Sequence, residues 1–482
     1  MFGFVRGALA AIVVLGVTWG GVIAYWRSAG TVPNARDLLL YLGLLPAGVF
    51  GGGWALRGML QRARDAAINR AASAPTGETA PAGQPDEAAL EATPLPRPLA
   101  VLAAGVRMPL GLEPAALLAD PLGSARLRPH PQQRDDRGLP VYVAMSDAVD
   151  ASTPLAQELD GEQVEHVRRA LALLEPVAEE LLLQAARALP VLAQNEGRVI
   201  AGWRQTVAEA VERQLSIELL VPTDWPAPLR EACAAWLQRV AEDDGIDPRR
   251  FAVQVSPVDG GDEVWRRLHR RLEESSPATP GWQVLLACHS SISRASLDRL
   301  QASGRLRTSA TPEGRVPGEA AAGVLLGWPA ASAPVLCVME RTELPGQCTG
   351  TARRRLTGSL AGMALERGQT EAARIDLVLS DADLRAGLAA EASGAASSAC
   401  NELDLSRQYL ALGANLGDTG AVQPLAQLAL AHAHLQGGGE AALLLAVTPA
   451  ATRWAAVLDS RFPEQRGPDD TRTTDAAKTE PV

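Results

Sequence analysis

The sequence predicts an α/β domain whose strands are covered on both faces, preceded by two transmembrane helices. Three observations predict it. Strand-like apolar runs alternate with amphipathic helical segments from residue 98 to about residue 460, the pattern of a layered α/β protein. Two uncharged runs of membrane-spanning length stand at the N-terminus. The composition, 47% hydrophobic with only 4% aromatics, suits dense α/β packing rather than disorder.

Residues 7–26, "GALAAIVVLGVTWGGVIAYW", contain no charge and match the length needed to cross a hydrocarbon core of ~30 Å. Residues 38–56, "LLLYLGLLPAGVFGGGWAL", form a second such run, with Trp26, Tyr41 and Trp54 near the ends where amphipathic rings favour the interface. A cleaved signal peptide is the rival for the first run. Against it stand the length of the run, the second run behind it and the lack of a clean small-x-small cleavage site. Arg57, Arg62, Arg64 and Arg70 follow the second run, whereas the connecting loop holds only Arg27 and Arg36, the latter offset by Asp37. That excess places residues 1–70 as a two-pass anchor in a bacterial inner membrane, with both termini and the large remainder cytoplasmic.

Residues 71–97 are Ala, Pro, Thr, Gly and Glu with almost no large apolar group, and read as a flexible linker. The domain then runs over 98–465, and 466–482 is a solvated, disordered tail. The formal charge of −10 leaves no basic field for nucleic acid. Cys233, Cys288, Cys337, Cys348 and Cys400 are scattered and form no CxxC, so neither a zinc site nor a disulfide framework is indicated, and a reducing compartment is the simplest reading.

Within the domain, "PLAVLAAGVRMPLG" from residue 98 opens as a strand, and 161–187 carry Val164, Val167, Leu171, Leu174, Val177 and Leu181 at helical spacing. "SIELLVP" (216–222), "RFAVQVSP" (250–257) and "WQVLLACHS" (282–290) read as strands, separated by helices over 227–245 and 262–275. A second round follows: strand "APVLCVMER" (333–341), a helix through 352–366, strand "RIDLVLSD" (374–381), helix 422–435 and strand "AALLLAVTP" (441–449).

Four segments in this order resemble the thiolase-like superfamily of β-ketoacyl synthases and thiolases. "AVLAAGVRMPLG" (100–111) looks like its opening strand and turn, and "WQVLLACHS" sits where the strand ending in Gly-Gly-x-Asp-Ser is expected. "GRVPGEAAAGVLLG" (314–327) resembles the P-x-G-E-A-A-A strand, and "GANLGDTGAVQPLAQLALA" (413–431) the Gly-His-Thr-x-Gly-Ala-Ala loop with its helix. The resemblance implies a layered α/β/α/β/α domain. It also implies that Glu319 is a structural carboxylate, accepting hydrogen bonds from buried backbone or an arginine.

The same resemblance implies a cysteine nucleophile opening the helix after "RFAVQVSP" and two histidines that stabilise an oxyanion. Ser256, Pro257, Val258 and Asp259 stand at the first position and Asp418 at the Gly-His-Thr histidine. No histidine occurs between 290 and 431 to supply the other. No catalytic, cofactor-binding or metal-binding residue is therefore assigned, and no cofactor is expected. Cys288 and His289 are consecutive in a strand and point to opposite faces, so they do not form a simple thiolate–imidazole pair, and Cys288 reads as a buried structural cysteine. Cys233 reads as core. His432 and His434 lie two apart on a helix, a poor metal pair, and "ARRRL" (352–356) reads as a solvated helix face.

The expected function is a membrane-anchored pseudoenzyme that binds another protein, similar to the type VI lipase adaptor family that serves effector delivery in type VI secretion. The alternatives are a β-ketoacyl synthase-like subunit or acyl-binding protein of fatty acid or polyketide metabolism, and a purely structural component of a membrane complex. A dimer is expected, with itself or with a related thiolase-like chain, because such folds extend their sheets edge to edge.

Overall fold

In the computed structural model the described residues are 99–109, 114–119, 127–146, 165–190, 198–200, 203–205, 214–274, 281–327, 333–346 and 348–461. All fall in Thr93–Val482, the second of two units into which the chain divides. The two apolar runs, the linker and the tail lie outside the described residues. No helix among the described residues is long and apolar enough to cross a membrane.

The strands that the apolar runs predict are present: β1 (Leu99–Arg107), β6 (Leu215–Pro222), β7 (Phe251–Val258), β8 (Trp282–Ser290), β9 (Glu319–Gly327), β10 (Val335–Glu343), β11 (Ile375–Ser380) and β13 (Ala441–Ala446). The helices α2 (Glu165–Ala188), α3 (Ala227–Asp243), α4 (Gly261–Glu273), α6 (Gly350–Arg367) and α9 (Val422–Gln436) also follow the periodicity. Five elements do not announce themselves in the sequence: the hairpin β2 (Arg128–Arg134) and β3 (Pro140–Val143), helices α5 (Arg294–Ala302) and α7 (Ala386–Ala399), and strand β14 (Thr452–Asp459). The remaining short pieces are α1 (Pro114–Ala119), β4 (Arg198–Ile200), β5 (Trp203–Gln205), β12 (Tyr409–Ala411) and α8 (Leu412–Leu416).

One ten-stranded sheet runs β12-β11-β13-β14-β10-β1-β9-β8-β6-β7. It is a duplication. In each half the strands, counted in chain order, lie 3-2-4-5-1, with strand 5 (β9 or β14) antiparallel to its neighbours and strands 2, 3 and 4 parallel. Parallel neighbours need crossover helices, which is why α3, α4 and α9 fall between them. The halves meet where β1 and β10 pair through Leu99–Leu336 and Ala100–Val335.

The cores follow from this arrangement. α2 and α3 cover the outer face of the first half through Leu174, Leu181, Leu237 and Cys233. α6 and α7 cover the outer face of the second half through Leu360, Ala361, Ala395 and Ala396. Between the halves lies one apolar layer that joins α4 and α9 to both halves of the sheet, with Trp265, Leu425 and Leu428 fully buried. These are five layers, α/β/α/β/α.

Strand β9 is buried along its whole length. Ala320 and Ala322 belong to the layer of α9 and Ala321 to that of α2, so helices press on both faces and leave room for little beyond a methyl. A Cβ on Gly323 would lie 2.6 Å from Leu286 Cδ2 and 2.7 Å from Leu181 Cδ1.

Candidate functional site

Of the positions that the resemblance singles out, Pro257, Val258 and Asp259 before α4 and Asp418 before α9 line one cavity of about 680 Å³, and Ser256 does not. Gly260 and Gly261 at the N-terminus of α4 and Asp381 just past β11 line the same cavity. Parallel strands end there, and two helices begin there, which is where open α/β sheets form crevices.

The loop before β9 builds one wall. Asp418 N–H donates to the Val316 carbonyl at 2.7 Å, and Pro317 forms a bridge with Asp418. The approach is so close that a Cβ on Gly318 would lie 1.9 Å from the Leu416 carbonyl oxygen. Gly417 takes φ +66, the left-handed region that favours glycine. One residue further, Glu319 is fully buried and receives both kinds of donor that the sequence reading requires. Arg169 donates from Nε at 2.8 Å and Nη2 at 2.6 Å, and the Ser146 backbone N–H at 2.8 Å. Glu319 is turned away from the cavity and anchors the strand.

The cavity itself is rich in carboxylates. Arg315 Nη1 donates to Asp418 Oδ2 at 2.7 Å. Burial pushes the Asp418 carboxyl up, but the Arg315 guanidinium outweighs it and holds the group below its usual range. Asp381 accepts from the Val447 N–H at 2.6 Å, from the Thr448 N–H at 3.2 Å and from the Thr448 hydroxyl. There burial wins, and Asp381 is raised to about 6.

At the start of α4, Asp262 accepts from Trp454 Nε1 at 2.7 Å and from Arg266, and Glu263 follows it. Burial alone would raise Asp262, but its donors Trp454, Thr452 and Arg266 hold it low. The positive end of the helix is thus covered by its own acids.

A second cavity of about 410 Å³ shares Asp259, Arg315 and Asp418 with the first and is lined by His166, His289 and Arg299. Burial pushes both imidazoles down. Cys288 borders this cavity but packs into the core of the outer layer, and burial holds its thiol well above the usual range. Cys233 is raised to about 12 by the same cause. His434 Nε2 meets Asp376 Oδ1 at 2.8 Å, while burial lowers His432 to about 4, so the pair does not converge on a shared ligand. In the "ARRRL" segment Arg354 and Arg355 are exposed, and Arg354 Nε donates to the Ala390 carbonyl of α7 at 3.1 Å. No group of three or more His, Cys, Asp or Glu that could hold a metal ion occurs among the described residues.

Arg315, Asp383, Arg385 and Thr448 complete the wall and carry no motif of their own. Only the loop pairing brings them in, although Arg315 does stand directly before the P-x-G-E signal.

No protein-family model and no curated protein matches the sequence. Solved structures do. A type II polyketide ketosynthase, captured with its acyl-carrier protein and bound to a hexaketide, superposes with a TM-score of 0.51 at 12% identity, covering 76% of this chain and 100% of that one. A ketosynthase from module 6 of the bacillaene synthase of Bacillus subtilis 168 gives 0.50 at 12% identity, over 76% of this chain and 72% of that one. The fold is that of the thiolase-like ketosynthases.

Proposed function

We propose that this chain is a membrane-tethered ketosynthase-fold protein that performs no condensation and works by holding another protein, as an adaptor or chaperone for a secreted effector of the type VI kind. One observation carries the reading: the cavity where the fold concentrates its chemistry has carboxylates at Asp381 and Asp418 and an acid-covered helix start at Asp262 and Glu263. A thiolate or an oxyanion at this place would meet negative charge instead of donors, and each donor lost from an oxyanion site costs about 10²–10³ in rate. Both aspartates are tied into the fold by Arg315 and Thr448, so they stand as finished structure.

A second reading, a subunit paired with a condensation-competent ketosynthase, is favoured by the edge of the sheet. Among the described residues β7 pairs only with β6, and the other side of Phe251–Val258 would take another chain, itself or a relative. Both readings place the domain on the cytoplasmic side of the membrane.

The test is incubation of the full-length protein with malonyl and acyl thioesters, followed by intact mass measurement. No thioester consumption and no mass shift are expected; a shift lost on Cys288→Ala overturns the reading. Affinity capture from the native host then separates the two partners: an effector supports the first reading and a ketosynthase the second.

A further inference from the structure

The 680 Å³ cavity has an acidic wall. Its three arginines are each held by a wall carboxylate: Arg266 by Asp262, Arg315 by Asp418 and Arg385 by Asp383. Three further acids, Asp259, Glu263 and Asp381, belong to the same wall, which leaves it net negative. Charge alone would say only that the cavity repels anions.

Gln423, in the first turn of α9, supplies an independent pointer. It lines the cavity and is 8% exposed, and its Oε1 is buried without a hydrogen-bond partner. The amide cannot be turned to relieve this, because its Nε2 donates to the Gly417 carbonyl at 3.0 Å. The unsatisfied atom is therefore an acceptor, and buried acceptors are rarely left alone in native proteins. A ligand that suits this wall brings N–H donors and positive charge together. A bare metal ion carries no N–H donor for Gln423 Oε1, so the ligand that fits is organic.

We infer that this cavity binds an organic cation with N–H donors, a guanidinium or an ammonium. Resting on the adaptor reading above, the cation is an arginine or lysine side chain of the bound protein. The cavity is then a socket for a basic residue.

The experiment is calorimetry on the full-length protein in detergent at low salt. The probes are acetyl-Gly-Arg-Gly-amide, the neutral acetyl-Gly-Gln-Gly-amide, and the free cations agmatine and spermidine. The arginine peptide is expected to bind and the glutamine peptide not. Asp259→Asn with Glu263→Gln, both on the rim, should weaken binding at least tenfold without loss of fold. Gln423→Met should weaken it similarly while leaving the circular dichroism of the unliganded protein unchanged; its thermal midpoint also registers the lost Nε2 bond to the Gly417 carbonyl. Equal binding of the neutral peptide, no binding by any cation, or variants that bind like the parent overturn the inference. Spermidine binding tenfold or more tightly than the peptide overturns the peptide source and assigns a free polyamine. None of these results touches the adaptor reading, which falls with thioester turnover or with capture of a ketosynthase in place of an effector.

Discussion

Strands β9 and β14 occupy the same place in the two halves of the sheet, yet each begins with a buried charge of opposite sign. In the first half the strand brings the acid, Glu319, and helix α2 brings Arg169. In the second half the strand brings the base, Arg453, and helix α7 brings Glu391, with Nε to Oε1 at 2.5 Å. Glu319 and Arg453 are 0% and 1% exposed. Their surroundings are adapted to the sign. Glu319 is backed by the Ser146 N–H, a donor, and Arg453 by the Pro449 and Thr452 carbonyls, both acceptors. The fold requires a satisfied charge at the head of strand 5 and is indifferent to which sign it is.

The largest test of that symmetry removes one base at a time. Arg169→Met leaves Glu319 buried without its ion partner and should cost about 3–5 kcal/mol in urea unfolding. Arg453→Met should cost about 1–2 kcal/mol less than that, because Arg353 lies 3.8 Å from Glu391 and can take over part of the pairing. Equal losses would remove Arg353 from the account.

Next in size are the glycines of the acid-bearing strand. Gly318→Ala drives a methyl into the Leu416 backbone and should cost about 3 kcal/mol or abolish folding, whereas Gly323→Ala meets the ends of two leucines, with the Leu285 carbonyl oxygen further off at 3.1 Å, and should cost about 1–3 kcal/mol. Thermal midpoints of the two variants decide it.

A comparable effect separates Asp381 from Asp418 by pH. Asp381 binds its proton more tightly folded than unfolded, having moved from 3.8 to about 6, so it lowers stability as the pH rises from about 4 to 6, by about 3 kcal/mol in all. Asp418 has moved down, so it adds stability above its ordinary range and loses it on acidification. Asp381→Asn should therefore flatten the fall between pH 4 and 6, and Asp418→Asn should flatten the loss below pH 4. Urea midpoints across pH 3–7 read both.

The smallest effect is a control for burial. Arg299–Asp224 is an ion pair at 3.0 Å with 61% and 43% of the side chains exposed, and Arg299→Ala should cost under about 1 kcal/mol. A loss near that of Arg169→Met would mean that sign and distance, not burial, govern these pairs.

Much of this architecture can be read from residue patterns, and the exceptions have causes. The apolar runs of β6, β8 and β13 reveal themselves because both faces are buried. β14 hides because Arg453 and Trp454 interrupt its run, although both are buried. α7, "AGLAAEASGAASSA", gives no clear apolar stripe since its buried face is one leucine, three alanines and one paired glutamate. β2, "RPHPQQR", is mostly exposed and carries two prolines. At the site, Asp418 and the start of α4 were legible through their motifs, and Glu319 through its alanine neighbours. Arg385 and Thr448 were not, because only the meeting of distant loops gives them a common address.

The order of the halves along the chain has a consequence for synthesis. Strands 99–327 are complete before residue 335 leaves the ribosome, but the inner face of their sheet is closed by α9, which lies against β9 and β1 and is made about a hundred residues later. Until then Ala320, Ala322 and Val324 face solvent, and such exposed surface is what makes partly made chains aggregate. The first half must wait for the second, so a chain truncated before residue 422 should be recovered with chaperones or in the insoluble fraction, whatever its partner.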